Sequence, residues 1–257
     1  MVTIRYFFAS FVLAMAILPA IGQTSALSTR TTTDEISDIQ RKSLEDLAND
    51  LPQLKKYREA NATLPVLTKD EKRIVFFGDS LTEGWGMARN GSVFFPGKPN
   101  YLNRGISGQT TIQMLVRFRQ DVIDLHPAAV LILAGTNDFA GNLGPSSVSM
   151  VADNIQSMAE LARANGIRVV LCSVLPAAGY RWRPDAHPVE PTRELNRWLR
   201  SYALAQNMVY VDYYTALADK DGAMKDGLSW DGVHPTAEGY RIMTPLAEAG
   251  IQAALHR

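Results

Sequence analysis

Residues 129–138 read AVLILAGTND, a continuous apolar run followed by a glycine and three polar residues. An apolar run this short and unbroken is typical of a strand that is covered on both faces of its sheet. Residues 168–173, which read RVVLCS, nearly repeat the pattern. The two segments therefore predict interior strands of a parallel sheet.

Around these two runs, short β-rich segments alternate with longer helical ones from residue 73 onward. Further strands are predicted over 73–77, 101–106 and 208–213, and helices over 110–125, 146–165, 190–206 and 236–256. Alternation of strands and helices around buried strands indicates a parallel sheet in a three-layer α/β/α sandwich. The pattern contains no internal repeat. We therefore predict one α/β domain over residues 73–257, built on a five-stranded parallel sheet.

The first 22 residues differ in composition from the rest of the chain. Arg5 is their only charge, and the apolar run from Tyr6 to Ile21 leads into Ala20-Ile21-Gly22. A short positive region, an apolar region and small residues at its end describe a secretory signal peptide. The alternative is an uncleaved anchor, but the run is shorter than the roughly 20 residues that a membrane span needs. We therefore predict a signal peptide at 1–22 and a secreted or periplasmic protein.

Residues 23–72 are predicted to form a partly helical N-terminal extension. The Ser/Thr-rich segment 23–31 predicts a disordered leader, and Thr32 to Glu35 fits a capping box. A helix is expected to follow as far as Leu51, and a second short helix to open at Asp50. We expect this extension to pack on the outside of the main domain and to carry no chemistry.

The charge balance and the cysteine content exclude several classes of protein. The 257 residues include 26 basic and 26 acidic side chains, so the formal net charge is zero. Such a balance argues against a surface that follows nucleic-acid phosphates. Cys172 is the only cysteine, so no intramolecular disulfide can form, and its apolar neighbours indicate a buried residue. No cysteine lies near the cleavage point, so we expect no lipid anchor and no stable membrane anchor after cleavage.

Two segments near opposite ends of the domain offer the groups of a serine esterase. Residues 78–84, GDSLTEG, follow the first predicted strand, and residues 231–235, DGVHP, precede the last predicted helix. A serine hydroxyl is a weak nucleophile that needs a base, and the base needs a third group to orient it. We therefore predict Ser80 as nucleophile, His234 as base and Asp231 as its orienter. The alternatives are an ordinary loop or N-cap serine and a helix-entry turn with a surface histidine.

Two further loops can supply hydrogen-bond donors for the negative charge that acyl transfer builds on the carbonyl oxygen. Residues 105–109, GISGQ, follow the second strand, and residues 135–138, GTND, follow the third. We predict an oxyanion site formed by the backbone N–H groups of Ser80 and Gly108 and by the side-chain amide of Asn137. A plain glycine turn at Gly108 and an Asx turn at Asn137 are the alternatives.

These four blocks together resemble the SGNH hydrolase family, also called GDSL hydrolases. The resemblance rests on Ser80 in GDSLTEG, Gly108 in GISGQ, Asn137 in GTND, and Asp231 with His234 in DGVHP, and it covers roughly residues 73–250. It implies a flavodoxin-like sheet, metal-free ester hydrolysis and a covalent acyl-serine intermediate. The Gly-x-Ser-x-Gly pattern of the α/β-hydrolase elbow is absent around Ser80.

Aromatic residues and arginines near these loops suggest a polar substrate. Trp85 follows the nucleophile, and the loop after the fourth strand carries Arg181 and Trp182. These three residues are predicted to bind substrate, although an ordinary surface loop at 180–184 is the alternative. No cluster has metal-ligand spacing and no loop has a nucleotide-binding pattern, so we expect neither a metal nor a cofactor.

The sequence thus predicts an exported serine esterase acting on small acyl esters, with acetyl groups on carbohydrates as the first choice. A lysophospholipase, a thioesterase or a lipid acylhydrolase resembling platelet-activating-factor acetylhydrolase is the second hypothesis. A non-catalytic carbohydrate-binding protein with the same fold is the third. We expect a small-molecule or carbohydrate ester as the partner, and no nucleic acid.

Overall fold

A computed structural model describes residues 41–257 apart from 43–44 and 46–47. The chain divides into two units, Met1–Arg41 and Lys42–Arg257, and the description below concerns the second. The predicted signal peptide at 1–22, the leader at 23–31, the capping box from Thr32 to Glu35 and most of the helix that follows lie outside the described residues.

A five-stranded sheet in which every pairing is parallel forms the centre of this unit. Its strands lie in the order β2-β1-β3-β4-β5, with bounds β1 Ile74–Gly78, β2 Tyr101–Gly105, β3 Ala129–Leu133, β4 Arg168–Cys172 and β5 Val209–Val211. The predicted fold class is thereby confirmed. Because β1 lies between β2 and β3, the loops after these strands leave the same edge of the sheet, where such folds bind ligands.

Helices cover both faces of the sheet. The eight α-helices that the structure describes are α1 Arg58–Ala62, α2 Ser80–Glu83, α3 Thr111–Asp121, α4 Thr136–Phe139, α5 Val148–Ala164, α6 Val189–Ala205, α7 Tyr213–Leu217 and α8 Ala237–Leu255. Successive side chains of a strand point to opposite faces, and in β1 Ile74 and Phe76 join the core under α8. Val75 and Phe77 join the core under α3, α5 and α6. The two cores explain why the strands are apolar on both faces.

The four long predicted helices are confirmed to within a few residues, but two predicted boundaries are wrong. The strand predicted over 208–213 ends at Val211, because Asp212 caps α7 by accepting a hydrogen bond from the Thr215 N–H at 3.0 Å. No helix opens at Asp50 either, because residues 51–57 form turns and Gln53 has a left-handed φ of 56°. The helix in this region begins at Arg58.

The extension segment from residue 50 to residue 64 hydrogen-bonds to the loop and helix that follow β2. The side-chain amide of Gln109 donates to the Pro52 carbonyl at 2.8 Å, and that of Gln113 donates to the Leu51 carbonyl at 2.7 Å. Lys56 forms an ion pair with Glu83 at 2.7 Å. This segment therefore braces the loops at the carboxyl end of the sheet.

Two further features bear on the earlier expectations. Cys172 is buried at the end of β4, as predicted, and burial raises the pKa of its thiol to about 12. Within the described residues, no helix combines the length and apolar character needed to cross a bilayer.

Candidate active site

Ser80 stands where β1 turns into the short helix α2. Asp79 caps this helix through its carboxylate, which accepts a hydrogen bond from the Leu81 N–H at 2.9 Å. The turn is tight: a Cβ at Gly78 would collide with Thr82, and one at Gly105 would collide with the backbone of Glu83. Glycine at both positions therefore lets α2 approach the strand ends and fixes the place of the serine.

The structure brings Ser80, His234 and Asp231 into one hydrogen-bonded chain. The Ser80 Oγ lies 2.9 Å from the His234 Nε2, and the His234 Nδ1 lies 2.7 Å from the Asp231 Oδ2. Burial opposes ionisation of Asp231, but hydrogen bonds from the His234 backbone and ring and from the Val233 N–H outweigh it. They hold the pKa of Asp231 below its ordinary value, so the carboxylate stays charged beside the imidazole.

The loop that carries the histidine is held by its own hydrogen bonds. The other oxygen of Asp231 accepts from the N–H groups of Val233 at 2.9 Å and His234 at 2.8 Å. The Ser229 hydroxyl donates to the His234 carbonyl at 2.8 Å and accepts from the Gly232 N–H at 2.9 Å. Asp231 therefore orients both the backbone and the ring of His234. Ser229 was not predicted, because a serine two residues before Asp231 carries no distinguishing signal.

Asn137 lies buried between the loops after β1 and β2. Its Nδ2 donates to the Gln109 carbonyl at 3.0 Å and to the Asp79 carboxylate at 3.2 Å. Its Oδ1 accepts a hydrogen bond at 2.9 Å from Asn142, a residue that was not predicted. These partners lie on other loops rather than in the turn of Asn137 itself, which is not the arrangement of an Asx turn.

Gly108 lies at the rim of the same region. Its φ is +79°, a left-handed conformation that L side chains adopt rarely, and no other atom lies within 4 Å of where its Cβ would stand. Its place requires glycine for backbone conformation rather than for space.

Two buried carboxyl groups lie next to each other beneath these loops. Burial, with a contribution from Asp138, raises the pKa of Asp79 to about 7, and burial also raises the pKa of Asp138. Asp138 accepts hydrogen bonds from the Thr111 N–H and, at 2.6 Å, from its hydroxyl, so it ties the loop after β3 to α3.

Arg117 on α3 supports the same region from behind. It is fully buried, pairs with Asp121 at 3.1 Å, and donates to the carbonyls of Gly78 and Arg104, each at 2.9 Å. Its Nε donates to the Gln109 side chain at 2.5 Å. Burial lowers the pKa of Arg117 to about 10, which leaves it charged at neutral pH. One guanidinium thus holds the ends of β1 and β2 and the residue after Gly108.

These groups surround an open cleft of about 570 Å³. Its lining residues are Ser80, Arg89, Asn90, Ser107, Gly108, Asn137, Asn142, Trp182, Trp230, His234 and Thr236. The Trp230 ring stacks on His234 with centroids 5.2 Å apart, and the Trp182 ring lies 6.2 Å from His234. Both tryptophans are partly exposed at the cleft. Trp230 was not predicted, although its place directly before Asp231 could have drawn attention to it.

Two of the three predicted substrate-binding residues do not line this cleft. Trp85 is 3% exposed and packs in the core against the rings of Phe76 and Tyr240, so its predicted contact with substrate is wrong. It follows α2, and the chain there turns inward rather than toward the cleft. Arg181 is exposed but is not among the residues lining the cleft. Only Trp182 of the three lies where it was predicted.

Comparison with known proteins agrees with this geometry. A family model described as the GDSL-like lipase/acylhydrolase family matches residues 76–242, which include every strand of the sheet and both ends of the Ser80–His234 pair. The chain therefore belongs to the GDSL-like lipase/acylhydrolase family, and the resemblance drawn from the four sequence blocks is confirmed.

Similar individual proteins come from several bacteria. The solved structure of a GDSL-like lipase from Bacteroides thetaiotaomicron VPI-5482 is 45% identical and has a TM-score of 0.75, covering 79% of this chain and 98% of that one. The uncharacterized lipoprotein YqeF of Bacillus subtilis is 30% identical over 57% of this chain and 71% of its own. Esterase TesA of Pseudomonas aeruginosa is 28% identical over 52% of this chain and 60% of its own.

Proposed function

We propose that this chain is an exported serine esterase that hydrolyses small acyl esters, acetyl esters of carbohydrates first among them, through an acyl-serine intermediate. The observation that carries the proposal is the hydrogen-bonded chain from the Ser80 Oγ through His234 to the Asp231 carboxylate, at 2.9 and 2.7 Å. Both distances are within the range over which a nucleophile, its base and the orienting group act together.

In this mechanism, the His234 Nε2 takes the Ser80 proton while the Ser80 Oγ attacks the ester carbonyl carbon. Collapse of the tetrahedral intermediate breaks the bond to the alcohol, which leaves with the proton from His234. A water molecule, deprotonated by His234, then attacks the acyl-serine and releases the acid. Asp231 holds the tautomer that keeps Nε2 free as a base and stabilises the imidazolium.

The oxyanion donors of the proposal are the N–H groups of Ser80 and Gly108 and the Nδ2 of Asn137. Both hydrogens of this Nδ2 are engaged without substrate, and the longer hydrogen bond, to Asp79 at 3.2 Å, is the one an oxyanion would replace. The raised pKa of Asp79 supports this exchange, because a protonated carboxyl next to the oxyanion opposes the developing charge less than a carboxylate does.

The cleft favours a polar, ring-shaped alcohol over a long acyl chain. Trp182 and Trp230 present aromatic surface beside His234, with exposed fractions of 42% and 57%, and most of the other lining residues are polar. Exposed aromatic faces of this kind suit the apolar face of a sugar ring. For export, the support is the composition of residues 1–22 and the similarity to a protein named as a lipoprotein.

A lipid acylhydrolase is the second candidate because an apolar groove of about 700 Å³ adjoins the cleft. Val93, Phe95 and Pro245 line this groove, and Gly91 and Ala237 follow Asn90 and Thr236 of the cleft in the chain. An acyl or alkyl chain leaving Ser80 could lie there. A pure carbohydrate-binding protein is disfavoured, because such a protein has no use for an activated serine.

Turnover of 4-nitrophenyl acetate by the wild type and by Ser80→Ala tests the esterase proposal. We expect the wild type to be active and Ser80→Ala to lose about 10⁴-fold or more in kcat. A fluorophosphonate probe should label Ser80 and fail to label the variant. An inactive wild type, or labelling of another serine, would overturn the proposal.

A matched pair of variants separates the two substrate classes. On acetylated oligosaccharides, Trp182→Ala should lower kcat/KM while Val93→Glu, which places a charge in the groove, leaves it unchanged. The lipid alternative predicts the opposite, with Val93→Glu impairing hydrolysis of lysophospholipids and long acyl esters. Assaying both variants on both substrate classes decides between them.

A further inference from the structure

Asn142 makes a set of hydrogen bonds that the proposed mechanism does not yet use. Its Nδ2 donates to the Gly108 carbonyl at 3.1 Å and to the Asn137 Oδ1 at 2.9 Å. Its Oδ1 accepts from the Trp182 indole N–H at 3.3 Å. One partly buried side chain thus contacts both loops proposed to hold oxyanion donors and the aromatic loop above the cleft.

The hydrogen bond to Asn137 determines which way the Asn137 amide faces. An amide can turn over by exchanging its oxygen and nitrogen, and its neighbours decide which orientation is favoured. Turned over, the Asn137 oxygen would face two acceptors, the Gln109 carbonyl and the Asp79 carboxylate, while its nitrogen would face the Asn142 nitrogen. Asn142 therefore favours the orientation in which Nδ2 is available as a donor.

The orientation of Asn142 is determined in the same way. Its nitrogen faces two acceptors, on Gly108 and Asn137, and its oxygen faces one donor, on Trp182. Exchanging the two atoms would break all three hydrogen bonds. The two amides are therefore oriented as a pair, and Trp182 contributes to the orientation of both.

Trp182 connects this pair to the place where substrate is expected. Its ring lies beside His234 and lines the cleft, and a second contact joins the same loops, because Arg183 donates to the Gly141 carbonyl at 3.2 Å. A substrate ring that stacks on Trp182 would change the position of the indole N–H. That change acts directly on the Asn142 oxygen.

We propose that Asn142 is a positioning residue that orients the Asn137 amide as an oxyanion donor and links substrate contact at Trp182 to that donor. The inference rests on the proposed esterase function. It deepens that function by naming the group through which the aromatic loop acts on catalysis without contacting the reacting atoms.

Kinetics of Asn142 variants on 4-nitrophenyl acetate test the positioning role. We expect Asn142→Ala to lower kcat about 10-fold, the scale of one net hydrogen bond, with KM little changed. Asn142→Asp should be worse, because it replaces the donor by an acceptor facing two acceptors. Asn165→Ala, which removes an amide that bonds only to the Leu161 carbonyl in its own helix end, should leave kcat unchanged.

Double-mutant cycles distinguish positioning from a general structural role. If Asn142 acts through Asn137, Asn142→Ala should cost little further kcat once Asn137→Ala is present. If the link to Trp182 operates, Trp182→Phe, which keeps a ring but lacks the N–H, should lower kcat on acetylated oligosaccharides in the wild type but not in Asn142→Ala. Full additivity in both cycles, or wild-type kcat in Asn142→Ala, would overturn the proposal.

A readout independent of activity separates this inference from the proposed function. In Ser80→Ala, the side-chain amide signals of Asn137, assigned by their loss in Asn137→Ala, should shift when Asn142→Ala is added and stay in place when Asn165→Ala is added. Unshifted signals would refute the orientation even in an active enzyme. An inactive wild type with shifted signals would refute only the esterase function and confirm the orienting contact.

Discussion

The two halves of the candidate site are built differently. The half at the ends of β1 and β3 is buried, with Asp79 1% and Asn137 3% exposed, and Arg117 and Asp138 support it from behind. The half carrying His234 is a loop whose histidine side chain is 21% exposed, under a Trp230 that is 57% exposed. One half is part of the core, whereas the other lies on its surface.

This difference separates two requirements of acyl transfer. Donors that stabilise a developing charge act best when they are fixed in advance and shielded from water, which a buried hydrogen-bonded network provides. A base that takes up and returns a proton must alternate between two states of charge, which a partly exposed ring tolerates more easily. We therefore expect substitutions in the buried half to affect stability and activity together, and those in the loop half to affect activity alone.

The largest effect is expected in the loop half. His234→Ala removes the proposed base and should lower kcat by about 10⁴-fold or more, as much as Ser80→Ala, because the two residues act as one unit. Asp231→Asn should lose activity by a comparable or smaller factor through the wrong imidazole tautomer. Turnover of 4-nitrophenyl acetate and thermal unfolding are the measurements. Near-wild-type turnover in His234→Ala would show that another group is the base.

Stability decides whether the loop half is separable in this way. His234→Ala should keep the melting temperature within about 2 °C of the wild type, because it removes few buried contacts. A large fall in melting temperature would mean that the loop contributes to the core, and the contrast between the halves would not hold.

The second effect concerns the support of the buried half. Arg117→Met leaves the Asp121 carboxylate buried without its charged partner and should lower the free energy of unfolding by about 3–5 kcal/mol. Arg119→Met, two residues along the same helix, breaks an exposed contact of 4.0 Å with Asp124 and should cost less than about 1 kcal/mol. Urea unfolding of both variants measures the difference. Equal losses would contradict the structural importance assigned to the buried pair.

Most of the fold and the loop half could be predicted from the sequence because their signals are local. Unbroken apolar runs identify interior strands whatever lies beside them, and Asp231 and His234 lie three residues apart. The boundary errors arose where a side chain ended an element, as Asp212 does at β5.

The support of the buried half was beyond the sequence. Arg117 on α3 reaches the end of β1, 39 residues away, and Asn142 gains its meaning from contacts with Gly108 and Trp182. No periodicity links such positions. Trp85 was misassigned for the same reason, because proximity to Ser80 in the chain does not determine whether a ring turns to the cleft or to the core.

The third effect tests whether Asn137 belongs to the transition state. Asn137→Ala should lower kcat by about 100- to 1000-fold with little change in KM, because the oxyanion gains more from the donor than the ground-state carbonyl does. Asn137→Asp should be at least as damaging, since it places a carboxylate against the developing charge and beside Asp79. An active aspartate variant would assign Asn137 to loop shape alone and leave Ser80 and Gly108 as the only donors.

The fourth effect is a pH dependence of stability that originates in Asp79. Its folded pKa of about 7 lies above the ordinary value of 3.8, so between these values the folded state binds more protons than the unfolded state. The contribution of Asp79 is therefore complete below about pH 4 and is lost as pH rises toward and through 7.

Comparison with Asp79→Asn, which cannot ionise, isolates this contribution. The free energy of unfolding of the wild type relative to the variant should fall by about 2 kcal/mol from about pH 5 to about pH 8. Urea unfolding across this range measures it. A difference that stays constant with pH, or one that grows, would mean that Asp79 is ionised in the folded protein throughout the range.

The smallest effect returns to the exposed half, where Trp230 stacks on His234 at an interplanar angle of 17°. The ring becomes an imidazolium in the transition state, and an aromatic face stabilises a neighbouring cation by about 0.5–1 kcal/mol at exposed sites. Trp230→Ala should therefore lower kcat by about three- to five-fold, whereas Trp230→Phe should retain most of it. Trp198→Ala, which breaks the stack with Tyr202 at 4.8 Å on α6, controls for loss of a tryptophan outside the cleft and should leave kcat unchanged. If Trp230→Ala instead lowered the melting temperature as much as kcat, the tryptophan would be holding the loop in place, and the two halves of the site would be less different than their exposure indicates.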